Sequence, residues 1–363
     1  MNKIYLSPPH VFGNELKYIK QVFESNYIAP VGEFIDRFEK DICDYTKAKY
    51  AVAVSSGTAA IHLALRILGI KKGDYVLCST FTFIGSISPV IYQNAMPIFI
   101  DSDLKSWNMD PNLLEDAIKK LKKRPKALIL THLYGQPADM DSITQICEKY
   151  DIILIEDAAE SLGATYKNKH TGTFGKIGIY SFNGNKIITT SGGGMLVTND
   201  EKIAQKAKFL STQAKENKLW YEHKEIGYNY RMSNLAAAVG VAQLETIKHR
   251  IKRRREIFKL YKSKLEGLIE FMPELRKAKG NRWLTTGIFK DKNPFEMIKF
   301  LQKNNIESRP LWKPMHLQPV FRDALAFVNR TSENLFKKGI CLPSGSSLKD
   351  TEVDLICELI KSA

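Results

Sequence analysis

Along the first half of the chain, short continuous apolar runs alternate with segments whose apolar residues recur at helical spacing. The apolar runs occupy residues 50–54, 75–77, 97–100, 127–130 and 152–155, and the helical patterns occupy residues 58–68, 111–123 and 139–150. A strand that is apolar along its whole length is covered on both faces, as in a parallel sheet flanked by helices. The pattern therefore predicts an α/β fold with a large, mostly parallel sheet.

The second half of the chain follows a different pattern. Two more strands are predicted at residues 178–182 and 194–197, around a polar, glycine-rich turn. A long helix is predicted to begin near Ser233 and to continue through the basic stretch 248–255, with its charges on the solvent side. From about residue 261 onward the alternation of strand and helix patterns weakens, which indicates a smaller α+β unit.

Length and composition are those of a globular protein with two domains. The chain has 363 residues, of which 44% are hydrophobic and 26% are charged. One hydrophobic core seldom serves a chain of this length. We predict a large domain over residues 1–245, which includes an N-terminal arm, and a small C-terminal domain over residues 246–363.

The charge of the chain indicates an anionic partner. Lys and Arg number 54 against 39 Asp and Glu, which gives a formal net charge of +15. Such an excess suits nucleic acid, an anionic membrane or a small anionic substrate, and composition alone does not choose among these three.

Cysteine usage and hydropathy predict a cytoplasmic protein. The five cysteines are odd in number and form no C-x-x-C pair, as expected in a reducing compartment. No apolar stretch reaches the roughly 20 residues of a membrane span, and the N-terminal residues lack the apolar run of a signal peptide. The seven histidines do not cluster at metal-ligand spacing, so no metal site is predicted.

Unusual residues follow several of the predicted strands, where ligands of α/β sheets gather. Residues 55–60 (Ser-Ser-Gly-Thr-Ala-Ala) join a strand to a helix. Gly57 allows close approach of a ligand to the backbone, and Thr58 adds a hydroxyl beside the free amides of a helix N-terminus. This segment is either an anion site, most plausibly for phosphate, or a plain helix cap.

Charged residues follow two other strands. The sequence Glu-Asp-Ala-Ala-Glu at residues 156–160 comes directly after a buried strand, where carboxylates need a cationic partner or a metal. Lys186 lies between a strand and the triple glycine 192–194. A lysine amine at such a place can form a Schiff base if burial or a neighbouring charge lowers its pKa.

The sequence does not match the motifs of other nucleotide-binding or hydrolytic enzymes. The triple glycine precedes a strand rather than a helix, so it is not a dinucleotide fingerprint. Residues 172–176 lack the spacing and the Ser/Thr of a phosphate-binding NTPase loop, and the chain has no G-x-S-x-G elbow.

Together these segments resemble the DegT/StrS-type family of sugar-nucleotide aminotransferases, which are fold-type I enzymes dependent on pyridoxal 5'-phosphate. The matching stretches are residues 55–60, 81–83, 132–136, 156–159, 181–182 with Lys186 and 192–194, and 227–231. The resemblance extends from residues 6–9 to residues 342–345. It implies a large cofactor-binding α/β domain followed by a small α+β domain.

The resemblance assigns roles around the ring of the cofactor. Lys186 would bind pyridoxal phosphate covalently and then move a proton between cofactor and sugar. Asp157 would keep the pyridine nitrogen protonated, which makes the ring a better electron sink. Phe83 would stack on the face of the ring.

Other residues would hold the cofactor phosphate. Gly57, Thr58 and Ser181 would bind it from the same chain, and Asn229 would reach it from a neighbouring subunit. The resemblance therefore implies a homodimer with shared active sites.

A further set corresponds to the family's substrate contacts or carries charge suited to a sugar-nucleotide diphosphate. These candidates are Asn26, Tyr27, Ile28, Ala29, Glu160, Arg231, Lys313, Pro314, Met315 and His316. Glu160 matches a polar active-site position without an assigned role.

Within the family, residues 25–30, 183–191, 281–284 and 309–313 are similar to the UDP-4-keto-sugar transaminases of the bacterial bacillosamine pathway. The implied reaction transfers an amino group from L-glutamate to C4 of UDP-2-acetamido-2,6-dideoxy-4-keto-hexose, giving UDP-4-amino-4,6-dideoxy-N-acetylglucosamine. Amination at C3 or C4 of another nucleotide-linked keto-sugar, for O-antigen, capsule or pseudaminic-type sugars, stays open. Lys186 replaces the histidine of the family's dehydratases, which favours transamination.

Two other hypotheses compete with this one. A nucleic-acid-binding regulator would use basic stretches such as 248–255, but these lack interleaved aromatic residues. Another fold-type I enzyme would need either a reactive loop cysteine, for which Cys341 is the candidate, or an arginine for a substrate carboxylate, such as Arg231 or Arg309. We favour the sugar aminotransferase, with no nucleic acid and no membrane as partners.

Overall fold

A computed structural model describes residues 2–363 of the chain. Within these residues the helices are α1 (Glu15–Glu24), α2 (Glu33–Thr46), α3 (Gly57–Ile67), α4 (Ser88–Tyr92), α5 (Pro111–Lys120), α6 (Met140–Lys149), α7 (Glu201–Ser211), α8 (Asn234–Glu245), α9 (Ile247–Lys264), α10 (Pro294–Lys303), α11 (Thr331–Lys338) and α12 (Asp350–Ser362). The strands are β1 (Tyr50–Val54), β2 (Tyr75–Ser79), β3 (Met96–Ile100), β4 (Ala127–Thr131), β5 (Ile153–Asp157), β6 (Thr165–Tyr166), β7 (Lys169–His170), β8 (Ile177–Ser181), β9 (Gly194–Thr198), β10 (Ile269–Phe271), β11 (Ala278–Lys279), β12 (Thr285–Phe289), β13 (Arg309–Pro310), β14 (Ala326–Phe327) and β15 (Gly339–Leu342).

The large sheet has the strand order β1-β9-β8-β5-β4-β2-β3-β14. Strands β8, β5, β4, β2, β3 and β14 run parallel to one another, and β9 runs antiparallel to both β1 and β8. The prediction of a mostly parallel α/β sheet is confirmed. Its central strands are buried almost throughout, because helices cover both faces of the sheet.

The topology brings several strand ends to one edge. Because β9 is antiparallel to both of its neighbours, β1 and β8 point in the same direction as β5. The carboxyl ends of these three strands therefore lead into Ser55, Ser181 and Asp157 at the same edge. Ligands of open α/β sheets bind at this edge.

The C-terminal part of the chain has its own sheet and core. Strands β10-β12-β15-β13 form an antiparallel sheet, and helices α9, α10 and α12 contribute to a core that also includes Ile4 from the N-terminal arm. The short strand β14 nevertheless pairs with β3 of the large sheet. The division at residues 245 and 246 coincides with the junction of α8 and α9 and stays a prediction.

The single long helix predicted from Ser233 is wrong, because two helices meet at Thr246. The Thr246 hydroxyl donates to the carbonyl of Gln243 at 2.9 Å and accepts a hydrogen bond from Arg250 Nε at 2.8 Å. These bonds satisfy polar groups at the end of α8 and the start of α9, so the chain turns there with little loss of hydrogen bonding.

The basic stretch is also less exposed than its composition predicts. Arg250 and Arg254 are each only 1% exposed, whereas Lys248 and Lys252 face solvent. Helix α9 therefore uses two of its positive charges inside the molecule. Across residues 2–363, no helix combines the length and the apolar character needed to cross a membrane.

Candidate active site

A cavity of about 540 Å³ lies at the carboxyl edge of the large sheet, where segments from the C-terminal part close over it. The predicted residues that line this cavity are Gly57, Thr58, Phe83, Asp157, Glu160, Ser181 and Lys186. These side chains come from four distant parts of the sequence. The strand ends described above bring them together.

Lys186 extends into the cavity from the turn between β8 and β9. The backbone N–H of Lys186 donates to the carbonyl of Asn183 at 3.0 Å, which fixes the turn. Its Nζ lies 3.6 Å from Glu160 Oε1 and 4.1 Å from the centre of the Trp283 ring. The amine is thus held between a carboxyl group and an aromatic face, and its side chain is only 13% exposed.

Asp157 ends β5 and is buried. One of its oxygens accepts a hydrogen bond from the Ser86 hydroxyl at 2.5 Å, and the other accepts one from the N–H of Ala159 at 3.1 Å. Among the described residues it has no ion-pair partner. A buried carboxylate without a cation is costly, so this position suits a ligand that carries a proton on a ring nitrogen.

Glu160 lies one turn beyond Asp157 and is 4% exposed. Its Oε2 accepts a hydrogen bond from the N–H of Tyr134 at 2.6 Å, while Oε1 faces Lys186. Burial raises the pKa of Glu160 to about 7, and the positive charge of Lys186 acts in the opposite direction. Glu160 can therefore hold or release a proton near neutral pH, beside the Lys186 amine.

The third carboxylate of this segment, Glu156, points away from the cavity. It accepts hydrogen bonds from His132 Nε2 at 2.9 Å and from the N–H groups of Gly172, Phe174 and Gly175. The cationic partner or donors that a buried carboxylate needs are supplied here by the protein itself. Glu156 therefore has a structural role.

The start of α3 forms a cradle with small residues. The Ser56 hydroxyl accepts a hydrogen bond from the N–H of Ala59 at 3.0 Å, and the first N–H groups of the helix remain available. A Cβ added at Gly57 would lie 3.2 Å from Ser181 Cβ, a tight contact that would require Ser181 to shift by a few tenths of an ångström. Within residues 2–363 the hydroxyls of Thr58 and Ser181 make no hydrogen bond, which leaves both for an anion.

Aromatic side chains form the walls of the cavity. The Phe83 ring is 59% exposed and lies 5.8 Å from that of Trp312, so one of its faces is accessible to a flat ligand. Trp283 and Trp312 also line the cavity, at ring centres 6.3 Å apart. Neither tryptophan was assigned a role from sequence, although residues 281–284 and 309–313 were among the segments of resemblance.

Two predicted groups of residues lie outside the cavity lining. Asn26, Tyr27 and Ile28 are exposed and belong to a segment that Asn234 fixes through the carbonyls of Tyr27 and Ala29. Asn229 is also exposed, beside Thr212. Their surfaces are accessible to a second subunit, and their predicted roles stay predictions.

The segment from Lys313 to His316 is divided between surface and core. Lys313 is exposed, whereas Pro314 and Met315 are buried. The His316 ring is hydrogen-bonded to the Thr80 hydroxyl at 2.7 Å and lies 3.4 Å from Glu333. In this arrangement His316 already has partners on both ring nitrogens.

Arg231 is one of the predicted substrate contacts. It is 9% exposed, forms an ion pair with Glu39 and donates to the carbonyl of Ala53 at 3.0 Å. Its guanidinium thus already has partners within the protein, and its predicted contact with the substrate stays a prediction. The mouth of the cavity instead contains Arg309, whose guanidinium lies 3.0 Å from Glu307.

These residues fit pyridoxal phosphate, the cofactor implied by the resemblance. The unpaired hydroxyls of Thr58 and Ser181 and the start of α3 suit its phosphate, the unpaired Asp157 suits its ring nitrogen, and the Lys186 amine suits its aldehyde. Among the described residues no group of three His, Cys, Asp or Glu side chains could hold a metal ion.

Comparison with known proteins gives the same result. The model of the DegT/DnrJ/EryC1/StrS aminotransferase family matches residues 10–361. The chain is 51% identical over 368 residues to EpsN of Bacillus subtilis strain 168, which is named as a pyridoxal phosphate-dependent aminotransferase, and the match covers 99% of this chain and 95% of EpsN. It is 37% identical to the GDP-perosamine synthase of Escherichia coli O157:H7, with 99% of this chain and 98% of that protein covered.

A solved structure also superposes on the whole fold. The sugar aminotransferase Spr1654 of Streptococcus pneumoniae, in its pyridoxal phosphate form, is 26% identical and has a TM-score of 0.93. The superposition covers 99% of this chain and 98% of Spr1654. The shared fold therefore extends over both the large sheet and the C-terminal part.

Proposed function

The chain belongs to the DegT/DnrJ/EryC1/StrS family and is a pyridoxal phosphate-dependent sugar aminotransferase, and we propose that its donor is L-glutamate and its acceptor a UDP-linked sugar. The acceptor would be UDP-2-acetamido-2,6-dideoxy-4-keto-hexose, aminated at C4. The product would be UDP-4-amino-4,6-dideoxy-N-acetylglucosamine.

The observation that carries the proposed chemistry is that one amine shares a cavity with two carboxyl groups in different surroundings. Lys186 Nζ lies 3.6 Å from Glu160, and Asp157 lines the same cavity without an ion-pair partner. Transamination needs a base that moves a proton at carbon and a separate carboxylate that stays ionised at the ring nitrogen. This arrangement supports both requirements.

Each residue then has a defined task. When bound, pyridoxal phosphate supplies the electron sink for breaking the C–H bond at the carbon that bears nitrogen. Lys186 would carry the proton between that carbon and the cofactor, and Asp157 would keep the ring nitrogen protonated. Glu160 would exchange a proton with the Lys186 amine between steps, since it contacts that amine and titrates near neutral pH.

We also propose that the active enzyme is a homodimer in the cytoplasm. Large apolar side chains remain exposed on this chain, among them Tyr27, Leu219, Trp220, Tyr221 and Ile226. Burial of such residues against a second copy is favourable. The exposed Asn229 would then reach the cofactor phosphate of the neighbouring site.

The choice of a UDP-linked acceptor has its own support, separate from that of the chemistry. It depends on the resemblance of residues 25–30, 183–191, 281–284 and 309–313 to UDP-4-keto-sugar transaminases. A GDP-linked 4-keto-sugar is the second candidate, because GDP-perosamine synthases are 36% to 38% identical to this chain over nearly its whole length.

A panel of acceptors tests the proposal. The enzyme, loaded with pyridoxal phosphate and supplied with L-glutamate, would be given UDP-, GDP- and dTDP-linked 4-keto-sugars and simple 2-oxo acids. We expect the largest kcat/KM with the UDP-linked N-acetylated sugar. A larger value with the GDP-linked sugar would favour the second candidate, and turnover of 2-oxo acids alone would contradict both.

A further inference from the structure

Helix α9 contains a buried arginine that the proposed chemistry does not use. Arg254 is 1% exposed and belongs to the basic stretch 248–255. Its guanidinium donates hydrogen bonds to the carbonyls of Trp283 at 2.5 Å and Ser344 at 3.0 Å, and to the Ser7 hydroxyl at 3.0 Å. The three acceptors come from three distant segments of the chain.

None of these acceptors within the described residues is a carboxylate. Burial, together with the smaller effect of the nearby Arg250 charge, lowers the pKa of Arg254 to about 9. A buried cation without a counter-ion reduces stability compared with an apolar side chain of similar size. Core packing alone therefore gives no reason for an arginine at this position.

Two of the three partners converge on one atom next to the reactive lysine. The Ser7 hydroxyl donates to the carbonyl oxygen of Asn185 at 2.7 Å, and the indole N–H of Trp283 donates to the same oxygen at 2.6 Å. Asn185 immediately precedes Lys186 in the turn. The Trp283 ring also lies 4.1 Å from Lys186 Nζ.

We propose that Arg254 is a positioning residue that holds Lys186 in place through Ser7, Trp283 and the carbonyl of Asn185. The guanidinium fixes the Trp283 backbone and the Ser7 side chain at once, and these two fix the backbone just before Lys186 from two directions. The proposal depends on Lys186 being the reacting amine, as proposed above. A planar guanidinium suits this task because it offers several donors in a fixed geometry.

The experiment compares Arg254→Met, Ser7→Ala and the control Arg253→Met in the full-length enzyme loaded with pyridoxal phosphate. Arg253 is the adjacent residue on α9, and its guanidinium binds Leu348 and Asp350, away from Lys186. Three readouts are needed: kcat and KM for L-glutamate, the pH midpoint of the visible absorbance of the bound cofactor, and thermal stability. The absorbance reports the environment of Lys186 without turnover.

Displacement of a reacting group lowers the rate of the chemical step and leaves ground-state binding of substrate nearly unchanged. We expect kcat to fall on the order of tenfold to a hundredfold in Arg254→Met, with KM for glutamate within about twofold. Ser7→Ala should shift kcat in the same direction by a smaller factor. Both variants should shift the pH midpoint of the cofactor absorbance. Arg253→Met should change neither kcat nor this midpoint.

A folded Arg254→Met enzyme with wild-type kcat and absorbance midpoint would overturn the proposal, whatever its thermal stability. If Arg254→Met does not fold, Ser7→Ala decides, and unchanged kcat and midpoint in that variant would overturn it equally. An inactive wild-type enzyme would instead contradict the proposed function, so the two failures are distinguishable. Partial recovery of kcat in Arg254→Lys would support the positioning role.

Discussion

The two carboxylates at the end of β5 differ in their surroundings because successive residues of a strand point to opposite faces. Glu156 turns toward His132 and three backbone N–H groups, whereas Asp157 turns toward Ser86 and the cavity. Glu160, one turn later, meets Lys186. Three carboxylates within five residues thus have different surroundings: Glu156 is held by donors of the protein, Asp157 faces the cavity without an ion-pair partner among the described residues, and Glu160 lies beside Lys186.

Replacement of Asp157 by Asn tests the role proposed for this residue at the ring nitrogen of the cofactor. Asparagine keeps the shape and the acceptor for Ser86 but removes the negative charge beside the cofactor's ring nitrogen. We expect kcat to fall on the order of 10²-fold or more with the cofactor still bound, as measured by steady-state kinetics. Asp323→Asn, a change at an exposed aspartate, is the control, and equal kcat values for the two variants would contradict the assignment.

The raised pKa of Glu160 predicts a dependence of stability on pH. A proton bound more tightly in the folded state stabilises it fully below the ordinary pKa of 4.5, and this contribution is lost as the pH rises through about 7. Glu160→Gln lacks this titration. The wild type should therefore lose stability relative to Glu160→Gln between about pH 5 and about pH 8, by up to about 3 kcal/mol.

Urea unfolding of the cofactor-free proteins measures this difference. The cofactor is left out because its attachment to Lys186 would change the charge that faces Glu160. Parallel stability profiles for wild type and Glu160→Gln would mean that Glu160 titrates at its ordinary pKa, contrary to the account.

At the scale of elements, the strands could be predicted well and the helix junction could not. Each central strand is marked by a continuous apolar run, since both of its faces are buried. No sequence pattern indicates the junction at Thr246, because both α8 and α9 consist of residues that favour helices. The turn depends instead on the hydrogen bonds of Thr246 with Gln243 and Arg250.

The pairing of β1 with β9 requires glycine at its end. A Cβ added at Gly194 would lie 2.3 Å from the backbone of Ser56, whereas a Cβ at Gly192 would meet nothing within 4 Å. We expect Gly194→Ala to lower the free energy of unfolding by about 1–3 kcal/mol because backbone must move. It should also weaken cofactor binding, since Ser56 caps the helix of the phosphate cradle.

Gly192→Ala is the matched control, two residues away in the same turn. Urea unfolding and titration with pyridoxal phosphate should give values near those of the wild type for this variant. Equal losses in Gly192→Ala and Gly194→Ala would show that the turn, rather than the close approach to Ser56, limits both properties.

For the whole molecule, the net charge of +15 has no single cause. Part of the basic stretch is internal, where Arg250 and Arg254 hold segments of the chain together. The charges available to a ligand in the cavity are those of Lys186 and Arg309. Both suit a small anionic substrate better than a nucleic acid surface.

The proposed shared site predicts complementation between two inactive variants. Lys186→Ala removes the amine of one site, and Asn229→Asp places a negative charge against the phosphate of the other. In a dimer that contains one copy of each, one site combines an intact Lys186 with an intact Asn229. With random pairing, about a quarter of the sites are then functional.

Co-expression of the two variants, followed by an activity assay, measures the fraction of functional sites. We expect about a quarter of wild-type activity in the mixture and far less in either variant alone. Activity of the mixture no greater than the average of the separate variants would contradict the role of Asn229 in a neighbouring site.

The candidate site was predictable from sequence where it lies on the large sheet. Gly57, Asp157, Ser181 and Lys186 follow strands whose patterns are clear, and the topology brings their ends together. Trp283 and Trp312, which form walls of the cavity, come from segments in which apolar and polar residues follow no clear strand or helix pattern. Only tertiary packing brings these rings to the cavity. The ion pair of Arg231 with Glu39 could not be predicted, because the two residues lie far apart in the sequence.

The most direct test of the central claim follows the transferred nitrogen. The loaded enzyme is incubated with ¹⁵N-labelled L-glutamate and UDP-2-acetamido-2,6-dideoxy-4-keto-hexose, and the product is examined by NMR. The account predicts the label on C4 of the sugar, and no label with Lys186→Ala. Label on another carbon, or an unlabelled sugar with the wild-type enzyme, would contradict it.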